Sequence, residues 1–273
     1  MVKSIRILEA GHCHHPERMV RGSGPLGLGK FPANVVVIDH PKEGIILFDT
    51  GYGSDFNQVT ARMPEMLYRL ITPVNITPET TAQARLKELG IKREDVKHVI
   101  LSHIHADHIG GVKDFPQATY HADLPALSYY RGLSKFNQVR SGFLAALLPQ
   151  DFDARLKPFD STQFKSGNFG LGNLTWGHDL FSDGSIMIIP LPGHMKGHVG
   201  IQVLTQSGEK YLFVADAAWR KESITENSLP SMVTRLIISD WSAYGKTLHE
   251  LHDLHHRYPD LKIIPCHCET HIA

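Results

Sequence analysis

Apolar positions along the chain fall into short runs of strand length, separated by polar stretches with helical spacing. Val35 to Ile38 and Ile45 to Phe48 are two such runs, and the Pro/Lys/Glu/Gly turn between them gives a hairpin signature. "TPETTAQARLKELG" predicts a helix in which Thr77 is the N-cap, Pro78 takes the first helical position and Gly90 closes the element. "HVILSH" predicts a short buried strand, as does "SIMIIPLPGH". "GIQVLTQSGEKYLFVAD" predicts a strand pair joined at Ser207-Gly208. "SAYGKTLHELHDLHHRYP" has helical periodicity and is followed by a last strand, "LKIIPCHC". Strands therefore occur in both halves of the chain, each half with helices of its own, which predicts an α/β fold. Residues 122–175 are less regular, with helical pieces such as "SGFLAALL". A long segment of this kind between strands predicts a lid or pocket wall.

Composition narrows the function classes. The 273 residues are enough for one large domain or two small ones with a proper core. Hydrophobic residues make up 42% and charged residues 21%, an ordinary globular balance. A formal net charge of zero gives no electrostatic reason to bind nucleic acid or an anionic membrane. No apolar run approaches the roughly 20 residues of a membrane span, and "MVKSIRILEAGHC" lacks the pattern of a signal peptide. Three cysteines make no disulfide framework and point to a reducing, cytoplasmic setting. The 18 histidines are the unusual count, and histidine is the commonest metal ligand.

Their spacing supplies the candidate chemistry. In "SHIHADHIGG", His103, His105, Asp107 and His108 directly follow a predicted buried strand. Alternation at the start of that loop turns His103 and His105 to one side and Asp107 and His108 to another, which suits two adjacent metal ions better than one. His194 ends another apolar strand behind a Pro-Gly turn, Asp216 ends a third, and His267 ends the last. Cys266 and Cys268 flank His267 and, by strand alternation, point away from its side as packing residues. His198, four residues past His194, reads as an outer residue supporting the ligands. His12, Cys13, His14 and His15 read as loop residues, and His249, His252, His255 and His256 as a solvated helix face.

With "ILFDTGYG" upstream and "PCHC" at the end, the H-x-H-x-D-H pattern and its later His, Asp and His resemble the metallo-β-lactamase superfamily over most of the chain. The resemblance implies an αββα sandwich, two facing mixed β-sheets with helices outside. It implies one such domain over 1–273, with the insertion at about 122–175. Carried over position by position, it implies that His103, His105 and His194 hold one divalent ion, that Asp107, His108 and His267 hold a second, and that Asp216 bridges both. Asp49 then orients the metal loop from beneath. Zinc suits this imidazole and carboxylate set, as do manganese, iron or cobalt. The implied activity is a dinuclear hydrolase in which a hydroxide bridging the ions attacks an ester or lactone, with Asp107 moving a proton to the leaving group.

Within the superfamily the chain looks most like the N-acyl homoserine lactonase group, through "FPANVVVIDHPKEGIILFDTGY" and the spacing of the cluster. One departure stands out: that group has a tyrosine three residues after the bridging Asp, and this chain has Trp219. Trp219, with Tyr129, Tyr130 and Arg131 of the insertion, is the candidate substrate pocket, and Phe136 adds a further aromatic. The expected partner is a small ester or lactone, not nucleic acid or a membrane, with a homodimer left open. A glyoxalase II-like thioesterase, an aryl or alkyl esterase and a non-catalytic ligand-binding member are the competing readings.

Overall fold

The computed structural model describes residues 1–22, 24–167 and 169–269. The chain divides into two compact units, one made of Ile5–His15 and Lys30–Phe159, the other of Met1–Ser4, Pro16–Gly29 and the stretch from Asp160 onward.

The first unit is built on a seven-stranded mixed sheet. Its strands are β1 (Ser4–Pro16), β2 (Leu28–His40), β3 (Gly44–Phe48), β4 (Val74–Asn75), β5 (Val96–Ile100), β6 (Thr119–Asp123) and β7 (Leu156–Phe159), in the order β4-β1-β2-β3-β5-β6-β7. The hairpin expected from the apolar runs is present, with Val36 opposite Phe48 and His40 opposite Gly44 in antiparallel register. From β3 onward the pairing is parallel, β3 to β5, β5 to β6 and β6 to β7. These inner strands carry continuous apolar runs: Val35, Ile38, Ile46, Leu47, Val99 and Ile100 are all fully buried. That is how strands covered on both faces read.

The second unit holds a six-stranded mixed sheet in the order β13-β12-β11-β10-β9-β8. Its strands are β8 (Lys165–Ser166), β9 (Trp176–Asp179), β10 (Ile186–Pro190), β11 (Val199–Leu204), β12 (Lys210–Ala215) and β13 (Leu261–Pro265). β11 and β12 form the expected hairpin across Ser207-Gly208, with Leu204 opposite Lys210. β13 joins β12 in parallel, after the helix Trp241–Arg257 has crossed over. Asp240 caps that helix by accepting from the Ala243 amide, and Tyr244, Leu248, Leu251 and Leu254 form its buried stripe at spacings of three and four. Among the described residues no helix is long and apolar enough to cross a membrane.

Local expectations differ from the structure at five places. The helix expected from Thr77 to Gly90 is two pieces, a 3-10 turn Pro78–Thr80 and a helix Ala82–Glu88. Thr77 caps the first piece and Thr81 the second, because Thr81 is extended (ψ 155) and its hydroxyl accepts from the Ala84 amide. "SGFLAALL" forms only the 3-10 turn Ala145–Leu147. His12, Cys13, His14 and His15 lie on β1, not in a loop: His12 pairs with Asn75 and Cys13 with Val74. Burial lowers the His12 pKa although Glu9 beside it raises it. The helical histidines are only partly solvated. His249 is exposed, but the Nδ1–H of His252 donates to the Ile224 carbonyl at 2.8 Å. Finally, β13 stops at Pro265, so strand alternation does not govern Cys266 or Cys268.

Candidate metal centre

In the first unit the candidate ligands follow β5 directly. Leu101 is still held in the sheet by its amide, which donates to the His121 carbonyl at 2.9 Å. The chain then turns through His103 into a short helix, Ala106–Ile109, that presents Asp107 and His108. His103 Nε2 and His105 Nδ1 stand 3.0 Å apart, the His103 and His108 rings lie 4.0 Å centroid to centroid, and His108 Nε2 is 3.7 Å from Asp107. Gly142 of the 122–175 segment packs against the His105 ring and accepts from the Ala106 amide at 3.1 Å.

Asp49 organises this cluster from 53 and 59 residues upstream. It is a non-glycine residue in the left-handed region (φ 62), a strained conformation held by its own bonds. Oδ1 accepts from the Ser102 amide at 2.8 Å, and Oδ2 accepts from Ser102 Oγ and from His108 Nδ1, each at 2.7 Å. With its single proton given to Asp49, the Ser102 hydroxyl accepts from His103 Nδ1–H at 2.9 Å. Both histidines are therefore held as Nδ1–H tautomers with Nε2 unprotonated, the arrangement by which an outer partner orients a metal-binding imidazole. Asp49→Ala is expected to cost about 10–100-fold in metal affinity by freeing both rings. Competition against a chelator measures this, and wild-type affinity in the variant would count against the role.

In the second unit the candidate ligands sit beyond the ends of β10, β12 and β13. Ala215, just before Asp216, has φ 44, and the register between β12 and β13 shifts beside it. This turn aims the Asp216 carboxylate, 3% exposed, at two imidazoles: Oδ2 is 3.2 Å from His194 Nε2, and Oδ1 is 3.2 Å from His267 Nε2. His198 uses both ring nitrogens elsewhere, donating from Nδ1 to the Leu191 carbonyl (3.0 Å) and accepting the Asp216 amide at Nε2 (3.2 Å). It fixes the backbone under Asp216 and has no lone pair left for an ion. Arg220 holds His267 by donating to its carbonyl at 2.9 Å while pairing with Glu17 at 2.9 Å. Trp219 donates its indole N–H to Asp216 Oδ2 at 3.1 Å.

The donor chemistry fits divalent ions. A buried carboxylate is costly without a compensating charge. Ligand atoms at about 2.0–2.2 Å from a four-coordinate zinc stand about 3.3–3.6 Å apart, near the 3.2 Å spacings around Asp216.

Three contributors escape the sequence reading, and a fourth, Cys266, is placed differently from it. Cys266 Sγ lies within 4.8 Å of ligand atoms of Asp216 and His267, contrary to the expectation that it points away. Ser102, beside His103, carries the relay to Asp49. Tyr52 and Tyr244 are buried phenols held neutral: burial pushes each pKa well up, with Cys13, Tyr68 and Asp107 adding to it at Tyr52 and Asp216 at Tyr244. Only Tyr52 left a signal, its place in "FDTGYG". Of the insertion residues, Tyr129 is half-exposed, Tyr130 is buried, and Arg131 is tied to Asp153 at 2.7 Å.

The sequence profile of the metallo-β-lactamase superfamily matches residues 28–267. The chain belongs to the metallo-β-lactamase superfamily. Its two mixed sheets with helices are the α/β sandwich fold of that superfamily. Superfamily relatives include a probable metallo-hydrolase of Mycobacterium tuberculosis, 26% identical over 85% of this chain and 73% of its own length. An N-acyl homoserine lactonase of Rhizobium radiobacter is 29% identical over 62% of this chain and 59% of its own. Among solved structures, an N-acyl homoserine lactone hydrolase with N-hexanoyl-L-homoserine at its catalytic metal centre matches with TM-score 0.70 and 18% identity, covering 98% of this chain and 94% of that one. A dizinc quorum-quenching lactonase matches with TM-score 0.64 and 18% identity over 98% and 88%.

Proposed function

We propose that this superfamily member is a dinuclear metal-dependent hydrolase of ester bonds, with lactones as its preferred class. The observation that carries the reading is the Asp216 carboxylate, both of whose oxygens face an imidazole Nε2 at 3.2 Å. The superfamily motif assigns His103, His105 and His194 to one ion, Asp107, His108 and His267 to the second, and Asp216 to both. Two divalent ions held by these residues would supply Lewis acidity, lowering the pKa of water from about 15.7 toward about 7 and polarising a scissile carbonyl.

The chain's own residues do the rest. Asp49 and Ser102 hold the His103 and His108 tautomers, so those rings need no reorganisation on binding an ion. His198 and Arg220 fix the backbone of Asp216 and His267. Asp107, with a carboxylate oxygen near His108 Nε2, takes the proton from the attacking water and delivers it to the leaving oxygen. Tyr129 and Phe136 are exposed aromatics of the insertion, and Tyr129 is the candidate contact for an acyl group. The lactonase relatives support a lactone over other esters.

The test is metal analysis together with turnover of a γ-lactone, an aryl ester and a glutathione thioester, on wild type and on Asp107→Ala. The expected result is two transition-metal ions per chain, with the lactone turned over fastest and its rate lost in the variant. Protein without tightly bound metal, or a preference for the thioester, would overturn the reading.

A further inference from the structure

Trp219 is a large apolar side chain three residues past a buried carboxylate, and its one polar group is already committed. The indole Nε1–H donates to Asp216 Oδ2 at 3.1 Å, the same oxygen that faces His194 Nε2. The ring is fixed by its neighbours: it meets the His194 imidazole edge to face, 5.7 Å between centroids at 86°, and leans on Tyr244 at 6.4 Å. It is 7% exposed. An indole offers one donor and no acceptor, so its polar capacity is exhausted at Asp216 and nothing remains for a substrate carbonyl.

We propose that Trp219 is a positioning residue for the metal centre, holding the Asp216 carboxylate in its ligating orientation and so setting metal affinity, and is not an oxyanion donor. The proposal rests on the metal-centre reading above. An imidazole or hydroxyl could reverse its hydrogen bond with pH or rotation. The indole cannot: its N–H only donates. The donation also places Oδ2 in line with His194 and leaves Oδ1 for His267. The neighbouring residue works in the same direction: Arg220 anchors the His267 carbonyl, so two consecutive side chains hold two of the assigned ligands. Because the N–H is occupied, carbonyl polarisation is left to other groups.

The test separates the N–H from the bulk of the ring. Position 219 is changed to Phe and, by site-specific incorporation, to benzothienylalanine, which keeps the indole shape but has sulfur where the N–H was. Zinc affinity is measured by chelator competition, with the melting temperature of the metal-free protein alongside. Loss of an outer-shell partner costs about 10–100-fold in metal affinity, so a loss of that size is expected in both variants. When metal-free, the benzothienyl protein keeps the packing of the ring and should melt below wild type by no more than the loss of one hydrogen bond to a charged group entails, and above W219F. Wild-type zinc affinity in the benzothienyl protein would overturn the role of the N–H, even if W219F fails to fold. Asp216→Asn is run in parallel: unchanged zinc affinity there would sink the metal-centre reading itself, whereas its loss there with none in the benzothienyl protein sinks only the role of Trp219.

Discussion

Asp216→Asn is expected to remove most of the bound metal and to lower kcat/KM by more than about 100-fold, the upper end of what an outer-shell loss costs. The change is nearly isosteric, so the effect is one of charge and donor chemistry. The amide puts an N–H₂ where one carboxylate oxygen now faces His194 or His267, and an N–H₂ has no lone pair for a metal. The negative charge available to offset divalent ions disappears as well. Stability should move the other way. Without metal, wild type buries a carboxylate that is 3% exposed, and replacing it relieves a desolvation cost. The metal-free variant should therefore melt no lower than metal-free wild type. Metal analysis, hydrolysis rates and melting curves give the three readings. Full metal content with activity within about tenfold of wild type would refute the assignment.

Gly193→Ala is expected to lower folding stability strongly, because the added methyl meets backbone beside His194. Gly193 sits at φ 133, and a Cβ there would lie 2.2 Å from the Tyr244 amide nitrogen and 2.3 Å from its Cα. These are backbone atoms at the start of the helix Trp241–Arg257, and they cannot rotate away. The approach is held by three bonds: the Asp240 amide to the Gly193 carbonyl (2.9 Å), the Ser239 amide to the His194 carbonyl (3.0 Å) and the Thr247 hydroxyl to the Pro192 carbonyl (2.7 Å). Overpacking costs roughly 1–3 kcal/mol and a strained backbone about 1–3 kcal/mol. Together that is roughly 2–6 kcal/mol, a fall in melting temperature on the order of 10 °C for a chain of this size. His194 moves with the loop, so metal affinity should fall too. Gly208→Ala is the control: at φ 86, with nothing within 4 Å of the added methyl, it bears only the left-handed penalty of about 1–2 kcal/mol. Equal melting temperatures for the two variants would refute the packing argument.

Both predictions concern residues that were easy to find and hard to explain from the chain alone. His194, Asp216 and His267 were legible because each follows an apolar run of strand length, and a polar residue at such a place has few other reasons to be buried. The H-x-H-x-D-H cluster was legible by its spacing. Asp49 was visible beside Gly51, but its bonds to Ser102 and His108 cross more than fifty positions, and no local pattern encodes them. Cys266 was misjudged because alternation was extended past Pro265, where the strand stops and the period of two is lost. The N-terminal histidines were misplaced because a run of polar residues resembles a loop until a partner strand is known. One partner of that stretch, Val74–Asn75, lies some sixty residues away.

The sequence by itself determined the alternation of strand and helix, the hairpins and the identities of the candidate ligands, because periodicity and residue chemistry act over a few neighbouring positions. Only the tertiary structure decided which tautomers the histidines hold, what Asp49 and His198 brace, and where the Trp219 N–H goes. Those depend on hydrogen bonds between residues whose side chains turn toward each other only once the chain has folded. The indole shows the division most plainly: the sequence places Trp219 three residues past Asp216 as a candidate pocket residue, and only the fold gives its N–H the 3.1 Å bond to Asp216.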